Sequence, residues 1–302
     1  VMRSNGGKSA IHSCVQDAWQ GAGLEYLQGR KICYTYRSTY CTLKKRAFII
    51  YFFTDLDNTL IYSHRHKYDG NLVWVEKINE KDQSFMTYEA YSFFSTQNLM
   101  DVIPVTTRSF SQYERLSELA NKMHWNKALI CNGAVLLEDG REDENWLYES
   151  QKISAAEIPI LDRLYSAVKN IVGEDSVVNM YDLMFYVKSD DPDMIYSILS
   201  ERADKQVMVL KDSRKVYCIP SSLNKGKAIE RYILRFGKKI SIAAGDSPFD
   251  IPMLKKADFG FYTEEIRQDC EADANGILCR GFFSDDICSQ LRKLYRDGVS
   301  FE

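Results

Sequence analysis

The sequence predicts an α/β protein, a doubly wound parallel sheet into which a second, smaller α/β domain is inserted. Three observations carry that expectation. Short apolar runs alternate with amphipathic helical segments from residue 47 onward. The alternation continues between residues 135 and 219 as a separate series of helices and strands, and pairs of aspartates follow two of the apolar runs directly. At 302 residues and 45% hydrophobic, the chain can bury a sizeable core.

Residues 1–46 differ from the remainder of the chain. Eight basic and two acidic residues give them a charge of +6, which leaves −9 for the rest of a chain whose formal net charge is −3. Such a stretch reads as an accessory extension or as an arm for an anionic partner, and no chemistry is assigned to it. Its string SNGGKSA resembles the end of a phosphate-binding loop, but Met2 stands where the first glycine belongs and no strand precedes it. A nucleic-acid partner is not expected for the chain as a whole.

The most apolar run, 47–53, is far shorter than the roughly 20 residues a membrane helix needs, so no membrane span is expected. No charged start, apolar middle and cleavage site mark the amino terminus, and the expected location is cytoplasmic. Eight cysteines without a CxxC pair argue against a zinc framework and fit scattered thiols in a reducing compartment.

Runs 48–53, 101–106, 128–131 and 240–244 read as buried parallel strands. Segments 111–123 and 225–236 place apolar residues at helical spacing. Within 135–219 the pattern reads as helices over 155–172 and 191–203 with strands over 177–179, 183–187, 207–210 and 215–219. The predicted division is an extension (1–46), a core (47–134 and 220–302) and an insert (135–219).

The string FTDLDNTL puts Asp55 and Asp57 two apart on a backbone that is still extended, so both carboxylates point to one side. They read either as solvated turn aspartates or as a pair needing a cation, for which magnesium with oxygen ligands is the natural candidate. A second cluster, GDSPFDIPML, follows the run 240–244 and brings Asp246 and Asp250 together through a helix start at Pro248. Thr106 at a strand end and Lys225 at a helix start supply a hydroxyl and an ammonium for phosphoryl oxygens.

In order, FTDLDNTL, VTTR, NKGKAI and GDSPFDIPML resemble the four motifs of the haloacid dehalogenase superfamily, from residue 47 nearly to the end of the chain. The insert resembles the α/β cap of its subclass IIB, home of Cof-type and sucrose-phosphate phosphatase-like enzymes. CNGAVLL resembles the stretch that enters that cap. The resemblance implies a magnesium-dependent phosphatase acting on a small phosphorylated metabolite, a sugar phosphate by expectation, through an aspartyl-phosphate.

It implies Asp55 as nucleophile, Asp57 as general acid and base, and Thr106 and Lys225 as phosphoryl-stabilising groups. Magnesium would be held by Asp55, the Asp57 carbonyl and Asp246, with Asp250 acting through a water or the Lys225 ammonium. Thr107, Arg108, Asn132 and Gly133 are the expected substrate-binding residues. Alternatives are a phosphosugar mutase, or a binding or regulatory protein that keeps the fold without turnover.

Two departures stand out. The second motif reads Thr106, Thr107, Arg108 where TGR is usual, and alignment on Arg108 selects Thr106 as the phosphate contact. Phe249 stands where asparagine commonly precedes the last aspartate. His64 and His66 read as an exposed loop, 72–86 as a hairpin without a ligand, 138–144 as a solvated turn, and Arg214 and Lys215 as solvated charges or an anion contact.

Overall fold

The structure is a computed structural model that describes residues 50–271 and 275–297; the basic extension and its glycine-rich string lie outside the described residues. By contacts the chain divides into Phe48–Ser284 and a second unit of Val1–Ala47 with Asp285–Glu302. Every described strand belongs to the first unit.

In chain order the elements begin with β1 (Ile50–Thr54), β2 (Tyr62–Ser63), β3 (Leu72–Ile78), β4 (Lys81–Thr87), α1 (Tyr88–Thr96), β5 (Met100–Pro104), α2 (Phe110–Glu114), α3 (Ser117–Lys122) and β6 (Lys127–Ile130). There follow β7 (Val135–Glu138), β8 (Arg141–Glu142), α4 (Glu144–Ser154), α5 (Ile158–Val172), β9 (Val177–Met180), β10 (Met184–Lys188), α6 (Pro192–Arg202), β11 (Val207–Asp212) and β12 (Lys215–Pro220). Last come α7 (Lys225–Phe236), β13 (Ile240–Gly245), α8 (Ile251–Lys256), β14 (Phe259–Tyr262), α9 (Arg267–Cys270), β15 (Gly276–Leu278) and α10 (Phe283–Asp297).

The central sheet is parallel in the order β15-β14-β13-β1-β5. Every residue of β1 is buried, as an apolar strand covered on both faces requires. Its register aligns Thr54 with Pro104 on one side and with Ala244 on the other, so the residues beyond all three strands emerge at one edge. Strand order reverses at β1, and open α/β sheets bind ligands at such a switch point.

A second, antiparallel sheet of order β11-β12-β10-β9 lies within the insert, and α5 and α6 contribute to its core. That core joins Ile160, Leu164, Phe185, Ile195, Val216 and Cys218, among others, and is separate from the cluster around Tyr51 and Phe53. Trp146 of α4 packs in the Tyr51 cluster. The stretch 135–154 thus lies on the central sheet's side of the packing, ahead of the inserted sheet.

Several elements differ from the sequence expectation. The predicted helix 111–123 is two short helices, broken where Arg115 turns to an acidic partner and Leu116 enters the core. The helix expected over 155–172 starts at Ile158, and a separate helix, α4, precedes it. Asp143, at the end of the acidic run read as a solvated turn, caps α4 by accepting a hydrogen bond from the Trp146 amide at 2.7 Å. Strands β14 and β15 lie outside the sequence expectation, since four and three residues are too few to show a period.

One turn requires glycine. Cys131 and Asn132 have φ of 49° and 57°, and Gly133 follows at 91°. A Cβ on Gly133 would lie 2.2 Å from the Ala228 Cβ on α7. Gly133→Ala therefore combines a disfavoured backbone with overpacking and is expected to lower stability by about 1–3 kcal/mol, read by denaturant unfolding.

Candidate active site

Asp55 leaves β1 with its amide donating to the Ala244 carbonyl at 2.9 Å, which keeps it in line with β13. The chain then folds tightly: the amides of Leu60 and Ile61 both donate to the Leu56 carbonyl at 2.9 Å, and Asn58 adopts φ of 59°. Asparagine tolerates that left-handed position better than other non-glycine residues. The loop faces Asp57 outward, and its side chain is 50% exposed while that of Asp55 is 10% exposed.

Lys225 opens α7 and is buried, with 1% of its side chain exposed. Its ammonium donates to Asp55 Oδ1 at 2.6 Å and to Asp250 Oδ1 at 2.6 Å. Asn224 caps the helix, accepting from the Lys227 amide, so the lysine's start position is set locally. The other Asp250 oxygen accepts from the Asp246 amide (3.2 Å), the Ser247 amide (3.0 Å) and the Ser247 hydroxyl (2.8 Å). Asp250 is thus fully engaged in holding the loop and the lysine. A side chain on Gly245 would take its place, since a Cβ there would fall 2.3 Å from the Asp250 Cβ.

Carboxylate oxygens of Asp55, Asp246 and Asp250 lie within 4.8 Å of one another. Burial pushes the Asp55 carboxyl up to about 7, with Lys225 opposing and Asp250 and Asp57 adding to the rise. Burial likewise raises Asp246 well above the usual carboxylate range, helped by the charges of Asp250 and Asp55 and resisted by the Thr59 hydroxyl, which donates to it at 2.9 Å. One ammonium among three carboxylates leaves a deficit of positive charge. An all-oxygen donor set with such a deficit fits a hard divalent cation.

Asp57 is not part of that cluster; its carboxylate is gripped by Arg108, Nε to Oδ2 at 2.8 Å and Nη2 to Oδ1 at 2.7 Å. Burial works to raise its pKa, but the Arg108 hydrogen bonds and charge prevail and hold it below the usual range. The same guanidinium donates to both oxygens of Glu76 at 3.0 Å and to the Gln112 carbonyl at 3.2 Å. All five of its N–H groups are thereby used. Arg108, expected to bind substrate, is occupied by protein groups.

Thr106 is fully buried at the edge beyond β5, fixed by its amide to the Leu129 carbonyl at 2.9 Å. Its hydroxyl oxygen accepts from the Arg108 amide at 3.2 Å, which leaves the hydroxyl proton to donate. Thr107 is half-buried and interacts with the hydroxyl of Tyr217 on β12. Asn132 is buried, donates to the Leu223 carbonyl at 3.0 Å, and keeps an Oδ1 with no hydrogen-bond partner. Gly133 offers its carbonyl to the Trp146 indole at 3.0 Å, a packing role.

Some contributors are not marked by the sequence. Glu76 is one. Another is Tyr217, whose ring meets Phe249 edge-on with centroids 5.2 Å apart. Phe249, the residue that departs from the usual motif, thus touches the inserted sheet. Lys215 lies within electrostatic reach of Asp57: burial lowers its pKa, while Asp212 and Asp57 oppose that change. Arg214 pairs with Asp190 at an exposed site, and His64 and His66 are exposed.

A family model described as haloacid dehalogenase-like hydrolase matches residues 142–278. The fold resembles that of the sucrose-phosphatase from Synechocystis sp. PCC6803, solved with sucrose and phosphate, at 15% identity and a TM-score of 0.54 over 81% of this chain and 97% of that one. It also resembles the HAD subclass IIB sugar phosphatase BT4131 at 14% identity and a TM-score of 0.53, over 80% and 97% of the two chains. No curated protein sequence matches. Residues 142–278 thus match the haloacid dehalogenase-like hydrolases, a family of enzymes, and the fold is that of their sugar-phosphatase members, a parallel core sheet with an inserted α/β unit. No helix among the described residues is long and apolar enough to cross a membrane.

Proposed function

We propose that the protein is a magnesium-dependent phosphatase that hydrolyses the phosphate monoester of a small polar molecule, a sugar phosphate by preference, through an aspartyl-phosphate on Asp55. The observation that carries this reading is the Lys225 ammonium held between Asp55 and Asp250 at 2.6 Å from each, beside Asp246, at the carboxyl edge of the parallel sheet.

In this reading an Asp55 carboxylate oxygen attacks phosphorus and the bond to the leaving oxygen breaks. Asp57, half-exposed, gives that oxygen a proton that it must already carry, so transfer draws on the protonated fraction that Arg108 keeps small. Water then attacks the aspartyl-phosphate, Asp57 takes a proton from it, and inorganic phosphate leaves. The Thr106 hydroxyl and the Lys225 ammonium stabilise the charge on the transferring group. Asp55, Asp246 and the Asp57 carbonyl would hold Mg2+, with Asp250 acting through Lys225. When bound, the ion supplies charge neutralisation at the phosphoryl oxygens.

Residues 47–154 and 220–302 serve as the catalytic core in this reading, 155–219 as the cap that selects substrate, and 1–46 as an accessory extension; the boundary expected at 135 moves because 135–154 packs with the central sheet. Thr107 and Asn132 are the remaining candidates for substrate contact, the latter through its unpartnered Oδ1. The sugar preference is drawn from the named substrate class of the two structural neighbours.

The test is phosphate release from a panel of sugar phosphates and p-nitrophenyl phosphate with and without Mg2+. Release that needs the ion and ranks the sugars is the expected result; no release by folded protein from any of them would remove the reading. A binding measurement accompanies it. Mg2+ should raise the Tm of the wild type by mass action, and Asp246→Asn should remove most of that rise.

A further inference from the structure

Glu76 sits where a regular strand would not put it. On β3 the pairing with β4 runs Trp74 to Phe85 and then Glu76 to Ser84, so one extra residue, Val75, intrudes on the β3 side. A second irregularity between Glu76 and Lys77 restores the count. Simple alternation would place Glu76 on the face of Trp74, which is 42% exposed, whereas Glu76 is 3% exposed. A bulge re-aims a side chain in this way, and bulges gather beside active sites.

The buried carboxylate is fully used. It accepts from Ser84 Oγ at 2.6 Å, from Arg115 Nε at 2.7 Å, and from Arg108 Nη1 and Nη2 at 3.0 Å each. Arg108 in turn grips both oxygens of Asp57. Two carboxylates and two guanidinium groups alternate as Asp57, Arg108, Glu76 and Arg115, the middle two buried and the outer two partly exposed. A planar guanidinium gripped by two carboxylates has little rotational freedom, so the position of Glu76 dictates where the Asp57 carboxylate lies.

We infer that Glu76 is a positioning residue, which through Arg108 holds the Asp57 carboxylate where it can pass a proton to the leaving oxygen. Resting on the phosphatase reading above, this assigns a function to the β3–β4 hairpin and makes Arg108 a support for Asp57 rather than a substrate clamp. In the transfer half of the reaction the link acts on the protonation of the departing group; the later step, in which Asp57 takes a proton from water, is common to every ester. Its loss should therefore depend on how much the leaving group needs that proton.

The experiment compares Glu76→Gln, Glu76→Asp and Asp57→Asn with the wild type in single-turnover transfer from an alkyl sugar phosphate and from p-nitrophenyl phosphate. An alkoxide leaves poorly without a proton, whereas nitrophenolate leaves readily. Glu76→Gln is expected to slow transfer from the alkyl ester by about 10- to 100-fold and from the aryl ester by less than about 3-fold, with KM little changed. Glu76→Asp keeps the charge one methylene short and should show a smaller loss with the same bias; it carries the test if the Gln protein does not fold.

Equal losses on both esters, or no loss on either, would overturn the proposal. Asp57→Asn with the bias while folded Glu76 variants lack it removes the proposal alone. Asp57→Asn without the bias removes the acid–base reading of Asp57, and this proposal with it.

Discussion

Asp55→Asn is expected to lower phosphate release by at least about 10³-fold while leaving stability unchanged or raised. The two effects have one origin. The folded protein holds the Asp55 carboxyl at about 7, above its ordinary value of 3.8, so above neutrality the metal-free fold is carrying an ionised group that it disfavours. A raised acid pKa means the cost grows as pH rises from the unfolded value through the folded one, and a neutral amide of the same shape removes it. Phosphate release with Mg2+ and thermal unfolding at pH 8 without it, followed on wild type and variant, check the two halves. Retained activity would remove Asp55 as nucleophile; a large fall in Tm would show that its charge supports the fold.

Lys225→Met should fail in both respects. The ammonium is the partner that the buried carboxylates of Asp55 and Asp250 share, and removing one member of a buried pair leaves an uncompensated charge that costs about 3–5 kcal/mol. Activity should fall by about 10²- to 10³-fold with the loss of a charged donor at the transferring group. The stability loss should shrink as pH is lowered, because a carboxyl already standing at about 7 can take up a proton and relieve the repulsion. Urea unfolding of the variant between pH 6 and pH 8.5 measures this. A pH-independent loss would mean that the methionine merely packs badly. The contrast with Asp55→Asn separates a group that works against the fold from one that serves both fold and chemistry.

Much of the core and its carboxylates is legible in the sequence, and the reason is local. A buried parallel strand must be apolar throughout, so the run through Phe53 marks β1 and locates the polar residues at its end. Asp55, Asp246 and Asp250 follow such strands, and the parallel register then carries them to one edge. Lys225 is legible because a helix start beginning at a good cap, Asn224, limits where the lysine can point. The helix α4 is hidden because its first turn is acidic, which suits both a solvated turn and the positive end of a helix.

What the sequence determined by itself, then, is the buried strands β1, β5, β6 and β13, the helix α7, and the carboxylates and lysine at their ends, since periodicity and strand ends are properties of neighbours along the chain. Tertiary structure decided the partners. Nothing in LVWVEKI distinguishes Glu76 from an exposed strand residue, and only the bulge and two arginines from the flanks of α2 make it a buried anchor. Asp57 and Asp55 are two residues apart, yet the loop at Asn58 turns one to a guanidinium and leaves the other with an ammonium. Phe249 likewise acquires its meaning from Tyr217, across the boundary of the inserted sheet. Each of these pairings joins residues distant in the chain, and long-range charge and ring contacts leave no period for a sequence to display.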